Sequence, residues 1–168
     1  PSLRTRVTFE TGMTQLGGHA IYLAPSDIQL GKRESVPDAA RNLSRWVNLI
    51  MARTFAHQTV VDLAKYASVP VINALSDLEH PCQIVADLLT ILEHKKKLKG
   101  INFAYVGDGN NVCNSLLLGA GLVGMNINVG IPKGYEPAKE IVDKAKQYGK
   151  KSGATINIYS SPSQAVKD

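Results

Sequence analysis

The apolar positions of this chain alternate between two rhythms. Short apolar runs bounded by polar or glycine-rich turns predict strands; stretches whose apolar residues recur every three or four positions predict helices. Val7, Met13 and Leu16 fall at helical spacing behind Ser2, an N-cap residue type, and Gly17-Gly18 closes that segment. His19–Leu23 then predicts a strand, Ala24–Pro37 a long polar loop, and Asp38–Val47 an amphipathic helix carrying Trp46. Asn48–Ala52 predicts a strand with Arg53 just past its end, followed by a helix over Gln58–Ala67 and a strand over Val69–Ala74. Between Leu78 and Glu93 a polar cluster, His80-Pro81-Cys82-Gln83, opens a helix whose only later charges are Asp87 and Glu93. Pro81 suits a first helical position, and so apolar a helix is expected to be buried on most sides.

After Gly100 the rhythm restarts. Ile101–Val106 predicts a buried strand, Gly107-Asp108-Gly109-Asn110-Asn111 a glycine-rich turn, and Val112–Leu122 a closely packed helix. A strand over Asn126–Ile131, a helix over Glu136–Tyr148 and a strand over Thr155–Tyr159 follow. Strands alternating with helices imply parallel sheets with right-handed crossovers. The expected fold class is therefore α/β, with two Rossmann-like domains over residues 1–95 and 99–168. The chain opens on a helix start with no strand before it, and Ser160–Asp168 reads as a helix start without its helix. Both ends are expected to cut a βα unit of a longer protein, leaving the first domain's N-terminal edge and the second domain incomplete.

Composition narrows the partners. The net charge of +5 favours anions, either a small phosphorylated substrate or nucleic acid. Basic residues are dispersed except for His94–Lys97 and Lys99, which suit a solvated helix end, and aromatics make up only 6%, so no platform for stacking bases is expected. No apolar run is long enough to span a bilayer, and the opening residues are not expected to act as a basic-plus-apolar leader. Cys82 and Cys113 do not make a disulfide framework and the four His are scattered, so a reduced, cytoplasmic protein without a metal site is expected.

Candidate chemistry gathers at four places. Ser2, Arg4, Thr5 and Arg6 at a helix start combine free N–H groups, a positive dipole end, hydroxyls and guanidinium forks, the ingredients of a phosphate site; the plainer alternative is a basic first turn. Arg53 lies where ligands sit in open parallel sheets, or simply faces solvent. His80 and Gln83 stand at a helix mouth, where His80 either caps the helix or serves a site. Gly107 and Gly109 form an incomplete dinucleotide fingerprint, keeping open a non-enzymatic nucleotide-binding module.

Taken together these residues resemble the aspartate/ornithine carbamoyltransferase family. Pro1–Arg6 is similar to its Ser-x-Arg-Thr-Arg phosphate motif, and His80-Pro81-Cys82-Gln83 to its His-Pro-x-Gln motif. Gly107–Asn111 resembles the turn marking the ornithine branch. The resemblance implies transfer of a carbamoyl group from carbamoyl phosphate to the δ-amine of ornithine, giving citrulline and phosphate in arginine biosynthesis or catabolism. It implies no cofactor and a homotrimer or a multiple of one. Ser2, Leu3, Arg4 and Thr5 would hold phosphate, joined by Gln29 reaching a neighbouring subunit. Arg53 would bridge phosphate and carbonyl oxygen, His80 would donate to the same oxygen, and Gln83 would hold the carbamoyl NH2. Thr5, Arg53 and His80 would form the catalytic clamp, and Asn111 would contact ornithine. The family's later Ser-Met-Gly and His-Cys-Leu-Pro elements are not among these residues, so another amine, such as putrescine or an acylated ornithine, stays open as acceptor.

Overall fold

The computed structural model describes residues 2–167. The chain divides into two compact units. One holds the residues through Met51 together with Gln58–Ala74; the other holds Ala52–His57 and the chain from Leu75 onward.

The first unit begins with α1 (Leu3–Gln15), where Ser2 caps as its type predicts: its hydroxyl accepts the Thr5 N–H at 3.4 Å. None of the residues of α1 is buried, and Leu3 and Leu16 are 79% and 86% exposed. The expected strand over His19–Leu23 does not form, and Ile21 is largely exposed. Five apolar-leaning residues become a strand only where a neighbour supplies a ladder, and no strand pairs with them among the described residues. The guanidinium of Arg6 instead lies 4.1 Å over the ring of Tyr22. The expected loop contains a short helix, α2 (Pro25–Ile28), ended by Gln29 in the left-handed region at φ 42°. Ser35 then caps α3 (Val36–Leu43), which stops before Trp46; that ring sits in a turn and is exposed.

Strand β1 (Ile50–Arg53), helix α4 (His57–Tyr66) and strand β2 (Val71–Leu75) complete the first alternation. β1 and β2 pair in a two-stranded sheet. The Ile50 N–H donates to Pro70 O and the Thr54 N–H to Leu75 O, each at 3.0 Å, a progression that fits parallel strands. Arg53 is the last residue of β1 rather than the first beyond it.

In the second unit, α5 (Pro81–Lys95) precedes β3 (Asn102–Val106), α6 (Asn111–Val123), β4 (Asn126–Gly130), α7 (Lys139–Ser152), β5 (Ile156–Tyr159) and α8 (Pro162–Ala165). The three strands form a separate parallel sheet in the order β3-β4-β5, with Tyr105 opposite Val129 and Val129 opposite Ile158. Its core is Leu117, Met125, Ile127 and Val129, all fully buried. The final Ser-rich segment completes one short helical turn, α8, whose Ala165 is buried.

Helix α5 packs with this second unit, through Ile84, Leu88 and Ile91 on the core cluster. Gly119 of α6 lets the two helices approach: a Cβ there would stand 2.8 Å from Ile84 Cγ2. The expectation of burial on most sides is not met. Only Ile84 is buried, while Val85 is 66% exposed and Leu89 and Leu92 are also exposed. The composition is apolar all round, but in the chain as it stands only one face meets a packing partner.

Candidate active site

The head of α1 gathers Ser2, Leu3, Arg4 and Thr5 on one turn. The Ser2 hydroxyl accepts from the Thr5 hydroxyl at 3.1 Å as well as from its N–H. The Leu3 and Arg4 N–H groups make no hydrogen bond among the described residues. No acidic residue occupies this turn, and Arg4 has no ion-pair partner among the described residues. Free donors, a positive dipole end and an uncompensated guanidinium are features that suit an anion. Gln29 lies apart in sequence, as the left-handed cap of α2.

The second unit brings Arg53, His80, Gln83 and Asn111 together with residues that sequence reasoning did not reach. The loop after β1 and the turn after β2 are tied to each other. Asp77 donates its N–H to Phe55 O at 2.8 Å, and its carboxylate accepts the His57 N–H at 2.8 Å. Ser76, fully buried, lies 2.9 Å from His57 Nδ1 and closes the turn by donating its N–H to Glu79 O. The head of α6 grips the same turn from the other side. Asn111 donates to Ser76 O at 2.7 Å, Asn114 donates to Leu78 O at 3.0 Å, and Ser115 Oγ accepts the His80 N–H at 2.9 Å. Alternate residues 76, 78 and 80 are thus held by positions i, i+3 and i+4 of one helix, which share a face.

His80 stands at the N-cap of α5 yet makes no side-chain capping bond, so the simple capping role does not apply. Its pKa is held below the ordinary 6.5, first by burial and then by the Arg53 charge, with Asp87 opposing. Both effects favour the neutral ring, which carries one proton. Nδ1 is buried without a partner. An unpaired buried N–H is harder to tolerate than an unpaired acceptor, so the favoured tautomer puts the proton on Nε2. Gln83 is exposed and donates to Asp87 at 2.8 Å, fixing the carboxylate that opposes Arg53.

Three N–H groups of the glycine-rich turn are already donated, Gly107 to Gly130 O, Gly109 to Tyr135 O and Asn110 to Asp108 O, and the Val112 and Cys113 N–H groups that follow donate to the Asn110 side chain. Gly109 is small because the backbone of Glu136 and Pro137 presses against it; a Cβ would stand 2.2 Å from Pro137 N.

Comparison with known proteins agrees with the motif reading. The model of the aspartate/ornithine carbamoyltransferase carbamoyl-P binding domain matches residues 1–93, and that of the Asp/Orn binding domain matches residues 99–168. The chain belongs to the aspartate/ornithine carbamoyltransferase family. Among carbamoyltransferases, the ornithine carbamoyltransferase of Anoxybacillus flavithermus is 54% identical over the whole of this chain, which covers 54% of that relative. A catabolic ornithine carbamoyltransferase of Thermoplasma volcanium is 52% identical over the whole chain and 55% of its own length. The solved structure of ornithine carbamoyltransferase from Pyrococcus furiosus superposes with a TM-score of 0.97 at 50% identity, covering all of this chain and 54% of that one. The chain thus spans about half the length of the curated relatives it matches. Among its described residues, no helix is long and apolar enough to cross a membrane.

The turn residues Ser76 and Asp77 and the α6 residues Asn114 and Ser115 went unnoticed in the sequence. The available signal was a buried Asn-Ser pair inside an otherwise apolar helix, on the face that Asn111 starts. Polar residues there call for partners, although the sequence alone does not say which.

Proposed function

We propose that this chain carries carbamoyl transfer from carbamoyl phosphate to the δ-amine of ornithine, giving citrulline and phosphate. The observation that carries the reading is His80 pinned at the head of α5, its N–H held by Ser115 Oγ and its imidazole held below the ordinary pKa by burial and by the Arg53 charge. A neutral imidazole with its proton on Nε2 donates a hydrogen bond to a carbonyl oxygen without surrendering the proton. The unprotonated δ-amine attacks the carbamoyl carbon, and the carbonyl oxygen gains negative charge. Nε2–H of His80 and the guanidinium of Arg53 stabilise that charge, joined by Thr5 in the proposed clamp. Removal of one such donor typically costs about 10²–10³ in rate. As the tetrahedral centre collapses, the bond from carbon to the bridging oxygen breaks and phosphate leaves with the bonding pair. The attacking nitrogen sheds its extra proton to solvent or phosphate. Ser2, Leu3, Arg4 and Thr5 hold the leaving phosphate with Gln29 contributed by a neighbouring subunit, Gln83 holds the carbamoyl NH2, and Asn111 contacts ornithine. No step requires a cofactor.

The names of the relatives support the choice of ornithine, and the Gly107–Asn111 turn supports it independently. In this reading residues 1–95 and 99–168 are the two functional domains, and the protein works in the cytoplasm as a trimer or a multiple of one. The test is calorimetry with carbamoyl phosphate and with inorganic phosphate, followed by a colorimetric citrulline assay offering ornithine, aspartate and putrescine separately. Binding of both phosphates and a preference for ornithine are expected. Absence of phosphate binding, or equal transfer to putrescine, would overturn the reading.

A further inference from the structure

Helix α6 is packed with apolar side chains at Cys113, Leu116, Leu117 and Leu118, all buried. Asn114 and Ser115 interrupt that series although each is only 4% exposed. Burying an amide and a hydroxyl among leucines is unfavourable unless both are well paired. Asn114 is only half paired: its Nδ2 donates to Leu78 O, while its Oδ1 is buried with no partner. A leucine at the same place would avoid that cost. Both polar groups act on one short segment, Leu78–His80, which leads directly into the His-Pro-Cys-Gln motif.

We infer that Asn114 and Ser115 are positioning residues for His80, fixing the backbone from which its ring presents Nε2–H to the carbamoyl oxygen. The inference rests on the carbamoyl-transfer reading, but its geometry stands apart from it. His80 adopts φ −133° and ψ 65°, off the extended conformation usual at an N-cap, so the cap itself does not dictate its backbone. Its N–H is held by Ser115 Oγ, thirty-five residues away in sequence, rather than by a side chain of its own helix. The carbonyl of Leu78 is fixed by Asn114 two residues earlier. With both ends of the Leu78–His80 tripeptide fixed, the Cα–Cβ direction of His80 is fixed too. Nδ1 then lies in a buried place with nothing to bond, which leaves Nε2 as the protonated nitrogen. The residues that set the donor thus come from the region matched by the Asp/Orn domain model, while the donor comes from the region matched by the carbamoyl-P domain model.

The test compares Ser115→Ala, Ser115→Thr and Asn114→Leu with the unmutated protein. Thermal melting checks the fold, nitrogen-15 NMR of labelled histidine reports the His80 tautomer, and the citrulline assay separates kcat from the KM for carbamoyl phosphate. In the unmutated protein the proton is expected on Nε2. Ser115→Ala should mix the two tautomers and lower kcat on the order of 10²-fold at nearly constant KM, the cost of misplacing a donor by about 1 Å. Ser115→Thr keeps the hydroxyl and should restore most of kcat. A folded Ser115→Ala with unchanged kcat and an unmixed tautomer would overturn the inference, as would a proton on Nδ1 in the unmutated protein. Should Ser115→Ala fail to fold, the unmutated tautomer and Asn114→Leu decide by the same criteria. If the unmutated protein forms no citrulline yet Ser115→Ala still mixes the tautomers, the assigned reaction has failed and the positioning role stands.

Discussion

Gly109→Ala isolates one contact from all others. The glycine has no positive φ, so its backbone tolerates alanine and the whole effect is steric. The added Cβ would lie 2.2 Å from Pro137 N, 2.5 Å from the Glu136 carbonyl carbon and 2.6 Å from Pro137 Cα. All three are backbone atoms, so no rotamer change relieves them. To reach the 3.4 Å of ordinary contact, the turn and the Glu136–Pro137 strap must separate by about 1.2 Å. Overpacking of this kind costs about 1–3 kcal/mol. For a chain of this size that corresponds to a Tm lower by roughly 2–12 °C. The separation should also stretch the 2.7 Å bond from the Gly109 N–H to Tyr135 O. Melting followed by circular dichroism at 222 nm measures the first effect, and amide hydrogen exchange at Gly109 the second. A Tm equal to that of the unmutated protein, with unchanged protection at Gly109, would refute the steric argument.

Three further outcomes are expected. Burial and Arg53 hold the His80 pKa below 6.5, so the unfolded chain takes up that proton first; the stability this group supplies above pH 6.5 should be lost as the pH falls through the folded value. Urea unfolding between pH 8 and pH 5 should show this slope, and His80→Gln should flatten it. Arg53→Ala should weaken phosphate binding by roughly tenfold or more, since a hydrogen bond to a charged group contributes about 1.5–3 kcal/mol; calorimetry at constant ionic strength reads it. Cys113, its thiol pushed up to about 12 by burial and then by Asp108, should resist iodoacetamide in the native protein and react only after unfolding, with mass spectrometry counting the adducts.

Local chemistry was legible where a residue acts on its own neighbours in sequence. Ser2 as the cap of α1, Pro81 at the first position of α5 and the alternation of β3 through β5 all follow from patterns a few residues long. Elements that depend on a distant partner were harder to read. His19–Leu23 has strand-like composition, but no ladder reaches it among the described residues, and composition cannot supply one. The apolar run of α5 implied burial on most sides, yet burial depends on what surrounds a helix as well as on what it contains. Gly107 and Gly109 suggested a weak nucleotide fingerprint; the small side chain at Gly109 is required by Pro137, twenty-eight residues on. At the candidate site, His80 and Asn111 drew notice through the motifs that hold them, and Arg53 through its place at a strand end. The hold of Asn114 and Ser115 on residues 78 and 80 spans more than thirty residues and leaves no periodic trace.

The turn from Ser76 to His80 also constrains where this chain can change length. A loop at a strand end is ordinarily a place where insertions and deletions collect. Here almost every residue of the loop is assigned: Ser76 and Glu79 bond to each other, Asp77 to the segment after β1, and residues 76, 78 and 80 to Asn111, Asn114 and Ser115 on one face of one helix. One extra residue anywhere in the turn would put the partners of Asn111, Asn114 and Ser115 out of step, because the helix that carries them cannot lengthen to follow. Descendants of this sequence can therefore hardly change length in the four residues, Ser76–Glu79, that lead to His80.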